Sequence, residues 1–339
     1  MDKSERYQIL ESWVKGQFPA RQFSILPVSI DASFRQYFRI TFNDKFTPKT
    51  LIIMDAPPQH EDCVSFLHVA DIFSIANVNV PKILGRDFKQ GFLLLSDFGN
   101  TTYMEALHEG YSVADGLYHD AIDSLIRIQL ASCSGKLPNY DHTLLFNELS
   151  LFPTWYLEKH LHIELNKKQR RNLSACFAEI LKNNLAQPKV YVHRDFHSRN
   201  LMVTDPNPGI IDFQDAVYGP ITYDLVSIFK DAYVYWEEEK ILDWVIRYWE
   251  QARKRGIPVV NNFSDFYRDF EWMGVQRHLK ILGIFARLCY RDGKKNYLKD
   301  IPIVINHLKK TCDRYRELNF LSELLSELES KESKEKIRD

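Results

Sequence analysis

Three oxygen-bearing side chains stand out by type and spacing: Asp195 and Asn200 within VYVHRDFHSRNLMV (190–203), and Asp212 within NPGIIDFQD (207–215). Apolar and aromatic residues lead into His193-Arg194-Asp195, Leu-Met-Val follows Asn200, and Ile210-Ile211 delivers Asp212. Two short buried strands would present all three groups at their ends. The chemistry this set suits is phosphoryl transfer. An Asp orients the proton of an attacking hydroxyl, while an Asn oxygen and a second Asp hold Mg2+ against the phosphates of a nucleotide such as ATP. H-R-D-x-x-x-x-N is also the kinase catalytic-loop signature. Taken singly, each residue has a plainer reading: a turn cap for Asp195, a left-handed turn position for Asn200, a strand end for Asp212. The ordered combination favours the chemical one.

The elements that must carry these groups change in texture near residue 98. Before it, a helix from Ser4 to about Gln17 is followed by the β-rich runs FSILPVSI, QYFRITF, TLIIMDA, PKILGRDF and GFLLLSDFG. A single helix, Glu61 to Ala76, interrupts them, with Val64, Leu67, Ile72 and Ile75 marking its apolar face and Pro57-Pro58 before its start. Beyond SDFGNTT the pattern is helical for long stretches, and only 189–213 reads as strand. These patterns predict an α+β chain with two lobes: residues 1–97, a small, mostly antiparallel sheet with one main helix, and residues 98–339, a larger helical lobe.

Composition limits the alternatives. With 339 residues, 45% hydrophobic and 13% aromatic, the chain can build a large core. Its 44 basic and 45 acidic residues give a net charge of −1, so no overall field draws it to nucleic acid or an anionic membrane. Five scattered cysteines, odd in number and without C-x-x-C spacing, argue against a zinc site or a disulfide framework and fit a reducing compartment. The opening MDKSERYQIL lacks the apolar core of a signal peptide, and no run approaches the roughly 20 apolar residues of a membrane span. The expectation is a cytoplasmic protein with no membrane partner. Oligomeric state is left open.

A protein kinase is disfavoured. Too few residues separate Asp212 from Tyr223-Asp224-Leu225 for an activation loop, no A-P-E follows, and Gln214 replaces the Gly of D-F-G. Met54 in LIIMDAP stands where the phosphate-pairing Lys belongs, and DASFRQYFR contains no Gly. Ala32 and Ser33 are small enough to approach phosphate oxygens. Strand alternation puts Arg35, Tyr37 and Arg39 on one face, where the arginines either follow the phosphates or face solvent; Arg35 is the candidate for the missing cation.

The chain resembles the aminoglycoside-phosphotransferase family, the small-molecule branch of the protein-kinase-like fold. Within it, SIDASFRQYFRI, IIMDAPP, GFLLLSDFG, LAQPKVYVHRDFHSRNLMV, PGIIDFQDAVYGPITYDLVSIFKDA and MGVQRHLKILGIFARLCYRDGK are most similar to the cell-wall-recycling kinases that phosphorylate N-acetylmuramate and N-acetylglucosamine at the anomeric hydroxyl. The resemblance extends over nearly the whole chain. It implies Asp195 as catalytic base, Asn200 and Asp212 as Mg2+ ligands, ATP as donor, and a small amino sugar as acceptor. It implies as well that Ser96, Asp97 and Phe98 belong to the hinge that cradles adenine, and that Asp224, like the family's equivalent, holds the loop through backbone hydrogen bonds. His193 reads as a packed, loop-ordering histidine, and His197 or Arg199 as a cation near the transferred charge. Asp215 touches a metal-bound water or forms a turn. Arg277, Lys280, Arg287 and Arg291 fall along one face of a largely apolar helix, where Arg277 could meet an acceptor carboxylate. Trp155 and Tyr156 could stack on a sugar, with a core role for at least one. An aminoglycoside or other small-alcohol kinase, and a pseudokinase that binds nucleotide without transfer, remain the alternatives.

Overall fold

The computed structural model describes residues 3–29, 34–45, 47–108 and 110–335. It divides into two compact units, residues 1–101 with 202–215 and residues 102–201 with 216–339. The excursion 202–215, expected with the helical lobe, is thus grouped with the sheet.

The first unit opens with α1 (Lys3–Gln17), followed by β1 (Phe23–Ser29), β2 (Gln36–Phe42), β3 (Thr50–Asp55), α2 (Cys63–Ile75), β4 (Ile83–Asp87) and β5 (Phe92–Ser96). The strands form one antiparallel sheet in the order β1-β2-β3-β5-β4. Period-two alternation sorts its faces. Ile40 and Phe42 of β2 and Leu51 and Ile53 of β3 pack with Leu10 and Val14 of α1. Asp55, next on that face, receives Arg6 of α1. Tyr37, Arg39, Ile52 and Met54 therefore lie on the opposite face.

α2 buries a different face from the one expected. Cys63, Phe66, Val69, Ala70 and Phe73 are buried, whereas Val64 and Ile75 are 62% and 82% exposed. The helix is apolar nearly all round, so periodicity alone could not choose. Its two phenylalanines decide the matter by packing against Phe213, with ring centroids 4.8 and 5.8 Å away. Asp62, not the prolines, caps the helix by accepting from the Val64 N–H.

The second unit contains α3 (Tyr103–Leu107), α4 (Tyr111–Leu130), α5 (His142–Leu149), a π-helical segment (Phe152–His160) and α6 (Lys167–Ala186), then β6 (Lys189–Val192). The short strands β7 (Leu201–Met202) and β8 (Gly209–Ile210) come next in the chain, leading into and lying within the segment 202–215 grouped with the first unit, and β9 (Val217–Pro220) resumes the second unit, paired antiparallel with β6. α7 (Tyr223–Phe229), α8 (Glu238–Lys254), α9 (Phe263–Tyr290), α10 (Ile301–Cys312) and α11 (Asn319–Glu335) complete it. α9 runs through the core and is buried along most of its 28 residues. All five cysteines are free, and among the described residues no helix is long and apolar enough to cross a membrane.

Candidate active site

The loop after β6 is held by groups distant in sequence. Arg194 takes a left-handed conformation, φ +77°, which costs a residue with a Cβ and persists only where the surroundings fix it. Here they do so at its N–H, its carbonyl and one end of its guanidinium. Its N–H and that of His193 donate to the two carboxylate oxygens of Asp224, at 3.0 and 2.7 Å. Its carbonyl accepts from Arg277 at 2.8 Å. Its guanidinium donates to Glu148 at 2.8 Å, and Glu148 also takes Lys280 at 3.0 Å and the Tyr140 hydroxyl. Farther along the loop, Asp231 accepts the Ser198 N–H at 3.0 Å. His193 is fully buried, and its Nδ1 accepts the Asp195 N–H at 3.2 Å, which places its proton on Nε2. Asp224, nearly inaccessible, is pushed up to about 7 by burial, which the two backbone N–H groups only partly offset.

Asp195 emerges from this frame with 40% of its side chain open to solvent. Burial by the surrounding atoms works to raise its pKa, but Lys280, Arg277, His197 and Arg194 more than reverse that and hold the carboxyl well below the usual range. Arg277 comes within 4.0 Å of it. Asn200 donates from Nδ2 to the Asp195 carbonyl at 3.0 Å, so its amide oxygen lies on the other side of the group. The exposed Arg199 is flanked by Tyr233 and Tyr297, 4.6 and 5.8 Å from their ring centroids. Burial, only partly offset by Asp231 and Asp195, lowers the His197 pKa, and its Nδ1 has no hydrogen-bond partner.

In the first unit, Asp212 ends the β8 segment at φ +61°, a conformation that Asp tolerates better than most residues, and accepts from Gln214 at 2.9 Å. Gln214 also reaches Asp215 at 3.4 Å. The Asn200 amide and Asp212 carboxylate oxygens are hard donors of the kind Mg2+ takes. Among the described residues, no group of three or more His, Cys, Asp or Glu is placed to hold a metal, but an ion completed by waters and substrate phosphates needs no such cage.

The nucleotide-side residues separate into distinct environments. Met54 is fully buried and supplies no cation. Arg35 and Arg39 are not simply solvent-facing, because each meets a carboxylate. Arg35, 8% exposed, pairs with Glu61 at 2.8 Å, while Phe34 stacks on His60 with centroids 4.5 Å apart. Arg39 grips Asp97 through two bonds of 2.6 and 3.0 Å and the Gly99 carbonyl at 2.7 Å. Ser96 bonds the Lys82 N–H through its hydroxyl at 2.9 Å. Phe98 lies over Gly209, where a Cβ would come within 2.7 Å of its ring. Ser33 lies outside the described residues.

On the acceptor side, Arg277 is 4% exposed and engaged by Arg194, Tyr223 and Asp195, so it supports the loop instead of facing a ligand. Tyr156 is core, while Trp155 is partly exposed in the π-helical segment. The cationic stripe also divides: Lys280 is buried against Glu148, and Arg291 pairs with Asp292. Glu148 and Asp231 were missed in the sequence. Their partners lie 46 and 33 residues away, and no local pattern marks a carboxylate that will be buried.

Residues 24–259 match the family described as "Phosphotransferase enzyme family". An N-acetylmuramate/N-acetylglucosamine kinase of Neisseria meningitidis serogroup B is 49% identical over 94% of this chain and 95% of its own. A kinase of the same name from Pseudomonas aeruginosa is 46% identical over 94% and 92%. Among solved structures, a choline/ethanolamine kinase family protein from Mesorhizobium loti superposes with a TM-score of 0.62 at 12% identity, covering 93% of this chain and 99% of that one. An ADP-bound aminoglycoside phosphotransferase gives 0.57 at 13%, covering 91% and 97%. These neighbours establish the protein-kinase-like fold.

Proposed function

Because the chain belongs to the phosphotransferase enzyme family, we propose that it transfers the γ-phosphoryl group of ATP to the anomeric hydroxyl of N-acetylmuramate and N-acetylglucosamine. It is a kinase that phosphorylates a hydroxyl group, as its relatives' names and family indicate. The observation that carries the specific reading is Asp195: a solvent-reachable carboxylate, kept ionised by cations, on a loop whose backbone is fixed on both sides.

In this mechanism Asp195 accepts a hydrogen bond from the acceptor hydroxyl, orients the oxygen toward phosphorus, and takes the proton as the new P–O bond forms and ADP leaves. A carboxylate with so low a pKa is a weak base. It suffices where the transition state is loose and the proton moves late, and an anomeric hydroxyl is more acidic than other sugar hydroxyls. Asn200 and Asp212 are the residues to hold Mg2+, which when bound neutralises charge on the phosphates. Arg35, braced by Glu61, is the candidate cation for the phosphates in place of the Lys absent at Met54. The hinge Ser96-Asp97-Phe98, fixed by Arg39, is the candidate adenine site.

Arg194, Arg277 and Lys280 all act on Asp195, and Arg199 stands on the same loop. That cationic setting favours a neutral or anionic acceptor over a polycationic aminoglycoside. The pseudokinase reading rests on the buried Met54. One assay decides among them: phosphate transfer from ATP to a panel of amino sugars and aminoglycosides, with Asp195→Asn as control. Transfer to the two N-acetyl sugars, reduced about 100-fold or more in the variant, is the expected result. ATP binding without transfer to any acceptor would establish the pseudokinase.

A further inference from the structure

The geometry points to Arg199 as the residue that reads the carboxylate of N-acetylmuramate, the group that distinguishes this acceptor from N-acetylglucosamine. The inference rests on the function proposed above and asks which cation near Asp195 has a face left for a ligand. Arg194 is engaged by Glu148. Lys280 is engaged by Glu148 and the Tyr223 hydroxyl. Arg277 is buried and bonded to the Arg194 carbonyl and Tyr223. Arg199 differs on both counts: it is exposed, and among the described residues it forms no ion pair with a carboxylate. Asp300 is close enough to feel its charge but not to pair with it.

What Arg199 has instead is a cradle. Tyr233, from the segment after α7, and Tyr297, from the short 3-10 helix Lys295–Asp300, flank the guanidinium with their rings, 4.6 and 5.8 Å from it to their centroids. Tyr233 is further packed against His197 and Phe285, with centroids 5.5 and 6.1 Å away, so the cradle is anchored in the unit's core. Aromatic rings fix the plane of an arginine without neutralising it, which leaves its N–H edge able to take a carboxylate through two parallel bonds. A flexible surface arginine would lose rotamer freedom on binding; one already stacked loses less. Arg199 is also the fourth residue after Asp195, so a ligand whose hydroxyl meets Asp195 has its substituents within reach of the same loop. The acceptor class follows from this: an amino sugar bearing a short carboxylate arm, with the uncharged sugar accepted more weakly.

The test is steady-state kinetics of the full chain with both acceptors, comparing wild type, Arg199→Met, Arg199→Lys and Tyr297→Phe. Arg199→Met is expected to lower the kcat/KM ratio of N-acetylmuramate to N-acetylglucosamine about tenfold or more, chiefly through the KM for N-acetylmuramate. Arg199→Lys should retain part of the ratio, and Tyr297→Phe, which keeps the ring and removes the hydroxyl, should lower it less. Esterifying the N-acetylmuramate carboxylate should reproduce the loss in wild type and leave Arg199→Met with no further effect. An unchanged ratio, or equal losses on both acceptors, would overturn the inference and give Arg199 to the phosphates or to loop structure. Transfer to neither sugar by wild type would overturn the proposed function and this inference with it, an outcome readable before any variant is made.

Discussion

Arg194 and Glu148 show how a reactive side chain is displayed by residues that never touch substrate. The left-handed backbone at Arg194 rotates the chain so that Asp195 faces outward, and its cost is met by Asp224, Arg277 and Glu148. Glu148 matters most for stability, because it is 7% exposed and balances both Arg194 and Lys280. Burial alone would raise its pKa, but Lys280 and Arg194 hold it below the ordinary value. Glu148→Gln leaves the buried Lys280 and the half-buried Arg194 without their carboxylate and should destabilise the fold by about 3–5 kcal/mol. Chemical denaturation measures this, and a midpoint unchanged from wild type would mean the network relaxes onto water. At this scale the sequence was half legible. Asp195, Asn200 and Asp212 are readable because their chemistry depends on short spacing and on strand ends. Glu148, Asp231 and the Arg39–Asp97 clamp are not, since each joins positions brought together only by the fold.

At the scale of elements, periodicity served where one face is polar and failed where it is not. The strands of the sheet could be read from their runs of β-branched and aromatic residues, but α2 offers apolar residues on every side, and only the position of Phe213 selects Phe66 and Phe73. β9 was missed because Gly219-Pro220 reads as a break, although Pro220 at a strand end disturbs little of the pairing with β6. α9 carries the clearest elemental requirement. Gly283 sits in mid-helix, where Ala would ordinarily stabilise by about 1 kcal/mol. A Cβ there would lie 2.5 Å from the Leu151 backbone carbon, at the entrance to the π-helical segment that bears Trp155. Backbone cannot move aside as a side chain can. Gly283→Ala should therefore destabilise by about 1–3 kcal/mol, against its helix propensity. Thermal unfolding decides the sign, and a higher Tm would mean that α9 and the π-helical segment are separable.

For the whole molecule, a net charge of −1 conceals how many ionisable groups are withdrawn from water. His278 and His307 stack in the core of the second unit, centroids 5.4 Å apart, at 0% and 4% exposure. Burial, with Lys230 and Lys310 nearby, pulls His307 down to about 3, and His278 is lowered as well. The sign follows from linkage. Below its ordinary value of 6.5, His307 binds a proton in the unfolded chain but stays neutral in the folded one until about pH 3. Acid therefore favours unfolding across that window, and the stability contribution present above pH 6.5 is lost as pH falls. Asp224, raised by burial, works in the opposite direction between its ordinary carboxylate range and about 7, so the total slope does not isolate either group. A variant does. His307→Phe keeps an aromatic partner for His278 and removes one titrating site, so the wild-type stability should fall relative to the variant by about 1 kcal/mol per pH unit from pH ~6 to ~4. Urea unfolding of both proteins at each pH reads this difference directly. Parallel curves would mean that His307 is protonated in the folded state and that its buried surroundings accommodate the charge.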